Sequence, residues 1–132
     1  MNNMKNRILI VEDDALLADV YKKALEAEGF KASIAKNHTE AIKLFKPKTL
    51  ALVTLDIILH GKNGFELLRD FRKQPDGDKV PIVIITGMNT QELTMDKDLM
   101  VSLNIIGIHT KSQFSIKEFV GIITAYLQSH ER

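Results

Sequence analysis

Residues 7–17 read RILIVEDDALL: a run of apolar, strand-forming residues stops on three consecutive carboxylates, Glu12, Asp13 and Asp14, and passes into Leu16 and Leu17. Adjacent like charges repel, so the triplet needs compensation from a helix terminus or a cation. Asp14 stands where an N-cap of the following helix belongs, with Leu17, Val20, Tyr21, Ala24 and Leu25 forming that helix's apolar stripe and Gly29 its end. Glu12 and Asp13 are left at the carboxyl end of a strand with no such duty. A buried strand handing its chain straight to an amphipathic helix is the building unit of an α/β sheet.

The same alternation continues along the chain. Further strands are expected at KASIA (31–35), LALVTL (50–55), PIVIIT (81–86) and IIGIHT (105–110). Helical spacing returns between them and after the last, where Ile116, Phe119, Val120, Ile123 and Leu127 share one face. The segments NHTE (37–40) and SIKE (115–118) have the form of capping boxes, Pro81 suits a strand start, and the stripe over 90–103 is the poorest. Five strands alternating with five helices predict an open parallel sheet covered on both faces, because crossovers between parallel strands are right-handed.

Composition narrows the function classes. The 132 residues suffice for one core, carry a formal net charge of +1 and contain no cysteine. Acids and bases are mixed rather than blocked, so neither direct nucleic-acid binding nor a membrane surface is expected. No apolar run approaches the roughly 20 residues of a membrane span. The absence of cysteine excludes disulfides and thiol chemistry, in keeping with a cytoplasmic protein.

Ligands of such sheets bind beyond the carboxyl ends of the strands, near the point where strand order reverses. Those ends deliver Glu12 and Asp13, then Asp56, Thr86 and Lys111. Clustered carboxylates raise one another's pKa unless a cation neutralises them, and a hard ion such as Mg²⁺ prefers oxygen ligands. Beside such an ion a carboxylate can attack phosphorus, while a lysine and a hydroxyl stabilise the charge on the transferring group. Asp56, the lone acid ending an apolar strand, is the nucleophile candidate; Glu12 and Asp13 are the metal-side pair.

In order and spacing, ILIVEDD, LVTLDIILHGKNG, PIVIITG and GIHTKS resemble the receiver domain of bacterial two-component response regulators across nearly the whole chain. The resemblance implies a flavodoxin-like, doubly wound α/β fold with five parallel strands in the order 2-1-3-4-5, and a single receiver domain over residues 1–132. It implies that Asp56 accepts a phosphoryl group from a histidine kinase or phosphotransfer protein. Glu12, Asp13 and the backbone carbonyl of Ile58 then join Asp56 in holding Mg²⁺, Thr86 supplies the switch hydroxyl, and Lys111 pairs with the phosphate. Gly64 corresponds to the glycine after the acceptor loop, and the expected product is a switched surface read by a downstream protein target or output domain.

The departures from the family pattern bear on that surface. His60 stands where a proline is usual, Ile108 replaces an aromatic switch residue, NIIG (104–107) replaces the customary glycine-alanine-acid stretch, and Ser112 follows the lysine in place of proline. The interval from Thr86 to Lys111 is slightly longer than usual. The family's lysine-proline bond is characteristically cis; a non-proline cis bond costs roughly 2.5–4 kcal/mol, so Lys111–Ser112 is expected to be trans.

Rival classes meet specific obstacles. A dinucleotide site needs G-x-G-x-x-G after the first strand, where acids stand, and GKNG is no phosphate loop. A haloacid-dehalogenase-like phosphatase needs a second aspartate two residues after the nucleophile, where Ile58 stands. His38, His60, His109 and His130 lack ligand spacing and are expected at the surface or in loops. The remaining alternative is a receiver-like binding module that signals without phosphorylation, and retention of the acids, hydroxyl and lysine opposes it. The chain ends at QSHER without a DNA-binding segment, compatible with a stand-alone regulator or with a receiver cut from a longer protein.

Overall fold

The computed structural model describes residues 6–59, 62–87, 97–111 and 115–129. The expectations for His60, Gly61, His130 and the Lys111–Ser112 bond, and the first half of the segment 90–103, residues 90–96, lie outside the described residues.

Seven strands are present among the described residues: β1 Arg7–Val11, β2 Lys31–Ala35, β3 Leu50–Leu55, β4 Ile58–Leu59, β5 Lys62–Asn63, β6 Ile82–Thr86 and β7 Ile105–Thr110. The helices are α1 Ala15–Ala27, α2 His38–Leu44, α3 Phe65–Lys73, α4 Lys97–Ser102 and α5 Ile116–Ser129, with a 3₁₀ turn at Gly77–Lys79. The main sheet is wholly parallel in the order β2-β1-β3-β6-β7, which is the expected 2-1-3-4-5 once the small hairpin β4-β5 is set aside. That hairpin, which pairs Ile58 with Asn63 and Leu59 with Lys62, had no counterpart in the sequence pattern. The fourth expected strand begins one residue late, at Ile82, because Pro81 has no N–H to donate; its carbonyl still accepts from Val53 N at 3.0 Å.

Alternation along the strands divides the core between the two faces. Leu9 and Val11 of β1 join Val53, Leu55, Ile82 and Ile84 against Ala41 and Phe45 and against Leu67, Leu68 and Phe71 of α3. Ile8 and Ile10 join Leu52, Val83 and Ile85 against α1 and α5. Aromatic stacks mark both layers, Phe45 on Phe71 at 4.1 Å between ring centroids and Tyr21 on Phe119 at 4.0 Å.

The helix ends follow the chemistry of their residues. Asp14 Oδ1 accepts from Leu16 N and Leu17 N, and Gly29 takes the left-handed conformation that ends α1, with φ of 95°. At α5 the box is complete, Glu118 N donating to Ser115 Oγ and Ser115 N to Glu118 Oε1. At α2, Asn37 Oδ1 caps Glu40 N as expected, but Glu40 reaches back to Lys36 N, one residue further. The α1 stripe departs from expectation: Val20 is 42 % exposed, and the small Ala18 is fully buried beside Tyr21 and Leu25. A stripe centred on alanine lets the helix approach the sheet closely and turns the valine out.

Candidate functional site

The acids reach one rim because the backbone ladder continues past the strand ends. Glu12 N donates to Ala35 O and Asp56 N to Val11 O, both at 3.0 Å, so Glu12 and Asp56 are held beside each other where β1 and β3 diverge in chain order. Asp13 completes the set: Glu12, Asp13 and Asp56 each offer a carboxylate oxygen, all within 4.8 Å of one another. Asp14 points elsewhere, as the cap of α1.

Lys111, just beyond β7, spans the two buried acids, with Nζ 2.6 Å from Glu12 Oε1 and 2.7 Å from Asp56 Oδ2. The other oxygens are also engaged. Glu12 Oε2 accepts from Asp14 N and Asp56 Oδ1 from Ile58 N, each at 3.0 Å. Burial pushes Glu12 above the usual carboxylate range, and the Lys111 contact partly opposes that push. Burial pulls Lys111 down, but its hydrogen bonds and attraction to Asp56 and Glu12 outweigh it, so the ammonium is held more firmly protonated than a free lysine. Lys111 is thus a cation locked between two acids.

The loop after Asp56 folds tightly back. Gly64 N donates to Ile57 O, and a Cβ at Gly64 would stand 2.8 Å from that same carbonyl, so any other residue would force the β4-β5 hairpin off the strand end. Thr86 is fully buried at the end of β6, paired in register with Thr110. The histidines prove heterogeneous. His38 is exposed and pairs with Asp70 of α3 at 2.9 Å, while His109, against expectation, is a half-buried strand residue with Nε2 3.1 Å from the Tyr126 hydroxyl.

Tyr21 lies under the site, and burial, followed by the Glu12, Asp56 and Asp14 charges against the opposing pull of Lys111, pushes its phenol up to about 12. A group whose folded pKa is raised contributes stability that is complete below its unfolded value of 10.0 and lost as pH rises through about 12. Alkaline titration followed by phenolate absorbance should therefore show Tyr21 ionising above the unfolded value, with unfolding accelerating over the same window. A Tyr21 that titrates at its unfolded value in the folded protein would contradict the burial described here.

The sheet order, the acid cluster at its reversal point and the bridging lysine define a doubly wound α/β domain with an acidic, lysine-bridged rim at the carboxyl ends of its strands. Comparison with known sequences agrees: residues 8–113 match the response regulator receiver domain. The chain belongs to the response regulator receiver domain family. Among solved structures it is similar to the non-phosphorylated HemR receiver domain of Leptospira biflexa, with 31 % identity and a TM-score of 0.77 over 97 % of this chain and 98 % of that one. It shares its fold with a CheY-like receiver domain of Methanospirillum hungatei (24 %, TM-score 0.77, covering 97 % and 98 %) and with the chemotaxis regulator CheY4 of Vibrio cholerae (18 %, TM-score 0.76, covering 92 % and 98 %). Domains of this family serve phosphorelay signalling, generally bind Mg²⁺ at an acidic pocket and work with histidine kinases or phosphotransfer proteins and output domains. No helix among the described residues is long and apolar enough to cross a membrane.

Proposed function

We propose that residues 1–132 act as one receiver that takes a phosphoryl group onto Asp56 from a phosphohistidine of a kinase or phosphotransfer protein, and presents a changed surface to a downstream protein. The observation that carries this reading is the Lys111 ammonium held 2.7 Å from Asp56 Oδ2 inside a three-carboxylate cluster. An Asp56 oxygen forms the new bond to phosphorus as the bond from phosphorus to the donor's histidine nitrogen breaks. Ile58 N fixes Oδ1, and Lys111 stands ready to pair with the phosphoryl oxygens. Thr86, at the neighbouring strand end, offers a hydroxyl to a phosphoryl oxygen, and its movement is the start of the switch.

Three carboxylate oxygens within 4.8 Å are a donor set that suits a hard divalent cation. Glu12, Asp13, Asp56 and the carbonyl of Ile58 would hold Mg²⁺, which supplies neutralisation of the charge on the transferring group. Asp56 is modified and slowly returned by hydrolysis, so the domain is a signalling switch and not a metabolic enzyme. Its expected setting is cytoplasmic.

The test is labelling with acetyl phosphate, read as the mass of one added phosphoryl group. Wild-type protein should be labelled with Mg²⁺ and not with chelator. Asp13→Ala should first lose the Mg²⁺-induced rise in thermal midpoint and lose labelling as a consequence. Unchanged metal affinity in that variant would remove Asp13 from the metal set.

A further inference from the structure

Thr110 is 7 % exposed, and its hydroxyl has no hydrogen-bond partner among the described residues. A buried orphan of this kind is uncommon and unfavourable. Its place is specific. Thr110 is the register partner of Thr86 across β6 and β7, and it immediately precedes Lys111. Ile84 and Ile108 lie in the same core layer, so Thr86 and Thr110, each two residues further along its strand, extend that face to the rim.

We propose that Thr110 is a positioning residue of the switch: its hydroxyl destabilises the resting packing around Thr86 and gains a hydrogen bond when Thr86 turns toward a phosphoryl group on Asp56. The inference rests on the phosphoacceptor reading given above. Turning the Thr86 side chain toward β3 vacates volume beside Thr110, because β6 lies between β3 and β7. Ile108, two residues back on the same face, is β-branched and stiff at χ1, and does not sweep into that volume. A water admitted there finds the Thr110 hydroxyl and strand-end polar groups to bond. The orphan is thus satisfied in one state only, and a group that differs between two states shifts the equilibrium between them.

The experiment is a calorimetric titration of the full chain with beryllofluoride in Mg²⁺, a phosphoryl mimic, using wild type, Thr110→Val and Thr110→Ser, with thermal midpoints of the free proteins alongside. Thr110→Val keeps the shape and removes only the hydroxyl. We expect its free form to melt higher than wild type and its beryllofluoride affinity to fall about tenfold, with Thr110→Ser close to wild type. A hydroxyl with a purely structural effect stabilises free and bound forms alike when removed, so a raised midpoint with unchanged affinity would overturn the inference while leaving the phosphoacceptor reading intact. Failure of wild-type protein to bind beryllofluoride would overturn both.

Discussion

Asp56→Asn should reduce Mg²⁺-dependent labelling by acetyl phosphate to background while leaving the fold in place. The amide oxygen carries no formal charge and is a poor nucleophile, so the loss is one of chemistry and not of degree. The structural roles of the position survive. The Asn Oδ1 can still accept from Ile58 N, the backbone bond from residue 56 to Val11 O is untouched, and Lys111 keeps its 2.6 Å contact with Glu12. A thermal midpoint near that of wild type should therefore accompany the loss of label. Undiminished labelling of the well-folded variant would remove Asp56 from the nucleophile's role. Label appearing on Glu12 or Asp13 instead would show that the rim tolerates a substitute acid.

The largest effect on stability is expected at Arg72, on α3 at the opposite end of the sheet from the acids. Its guanidinium donates to four backbone carbonyls: Gly77 O, Val80 O at 3.0 Å, Leu103 O and Asn104 O at 3.4 Å. It joins α3 to the turn before β6 and to the α4–β7 connection, where Asn104 has a left-handed φ of 55°. Burial pulls the Arg72 pKa down to about 10, so placing the cation there has a cost. Arg72→Met removes that cost and preserves most of the packing, but it strips four carbonyls of a charged donor. Each such bond contributes roughly 1.5–3 kcal/mol, and partial rehydration of the loops recovers part of the loss. A net destabilisation of about 3 kcal/mol follows, roughly a 10 °C fall in thermal midpoint for a domain of this size. Arg72→Lys should recover little of it, since one ammonium cannot span carbonyls from two loops. A midpoint within about 2 °C of wild type in Arg72→Met would show that the clamp contributes nothing net.

The elements of this domain were legible wherever their causes were local. Strand bounds at 7–11, 31–35, 50–55 and 105–110 match the observed strands because each mainly apolar run gives way to a charged residue, Glu12, Lys36, Asp56 or Lys111. Asp14, Asn37 and Ser115 cap their helices because a side-chain oxygen beside free N–H groups needs only two or three residues of context. The convergence of Glu12, Asp13, Asp56, Thr86 and Lys111 on one rim was also readable, since parallel strands bring all their carboxyl ends to the same edge.

Relations between distant residues belong to the tertiary structure. Ala18 rather than Val20 faces the sheet because helix rotation is set by how closely α1 and its neighbours pack, which a stripe of similar residues does not specify. The single lysine spanning Glu12 and Asp56 and the guanidinium shared by carbonyls of two loops join segments far apart in the chain, and the Thr110 hydroxyl, beside Thr86 in the register of β6 and β7, finds no partner among the described residues. Periodicity and capping report on a few neighbouring residues, and so they place each group on an element and a face; whether it finds a partner there depends on the distances that packing of the whole sheet and its two helical layers imposes.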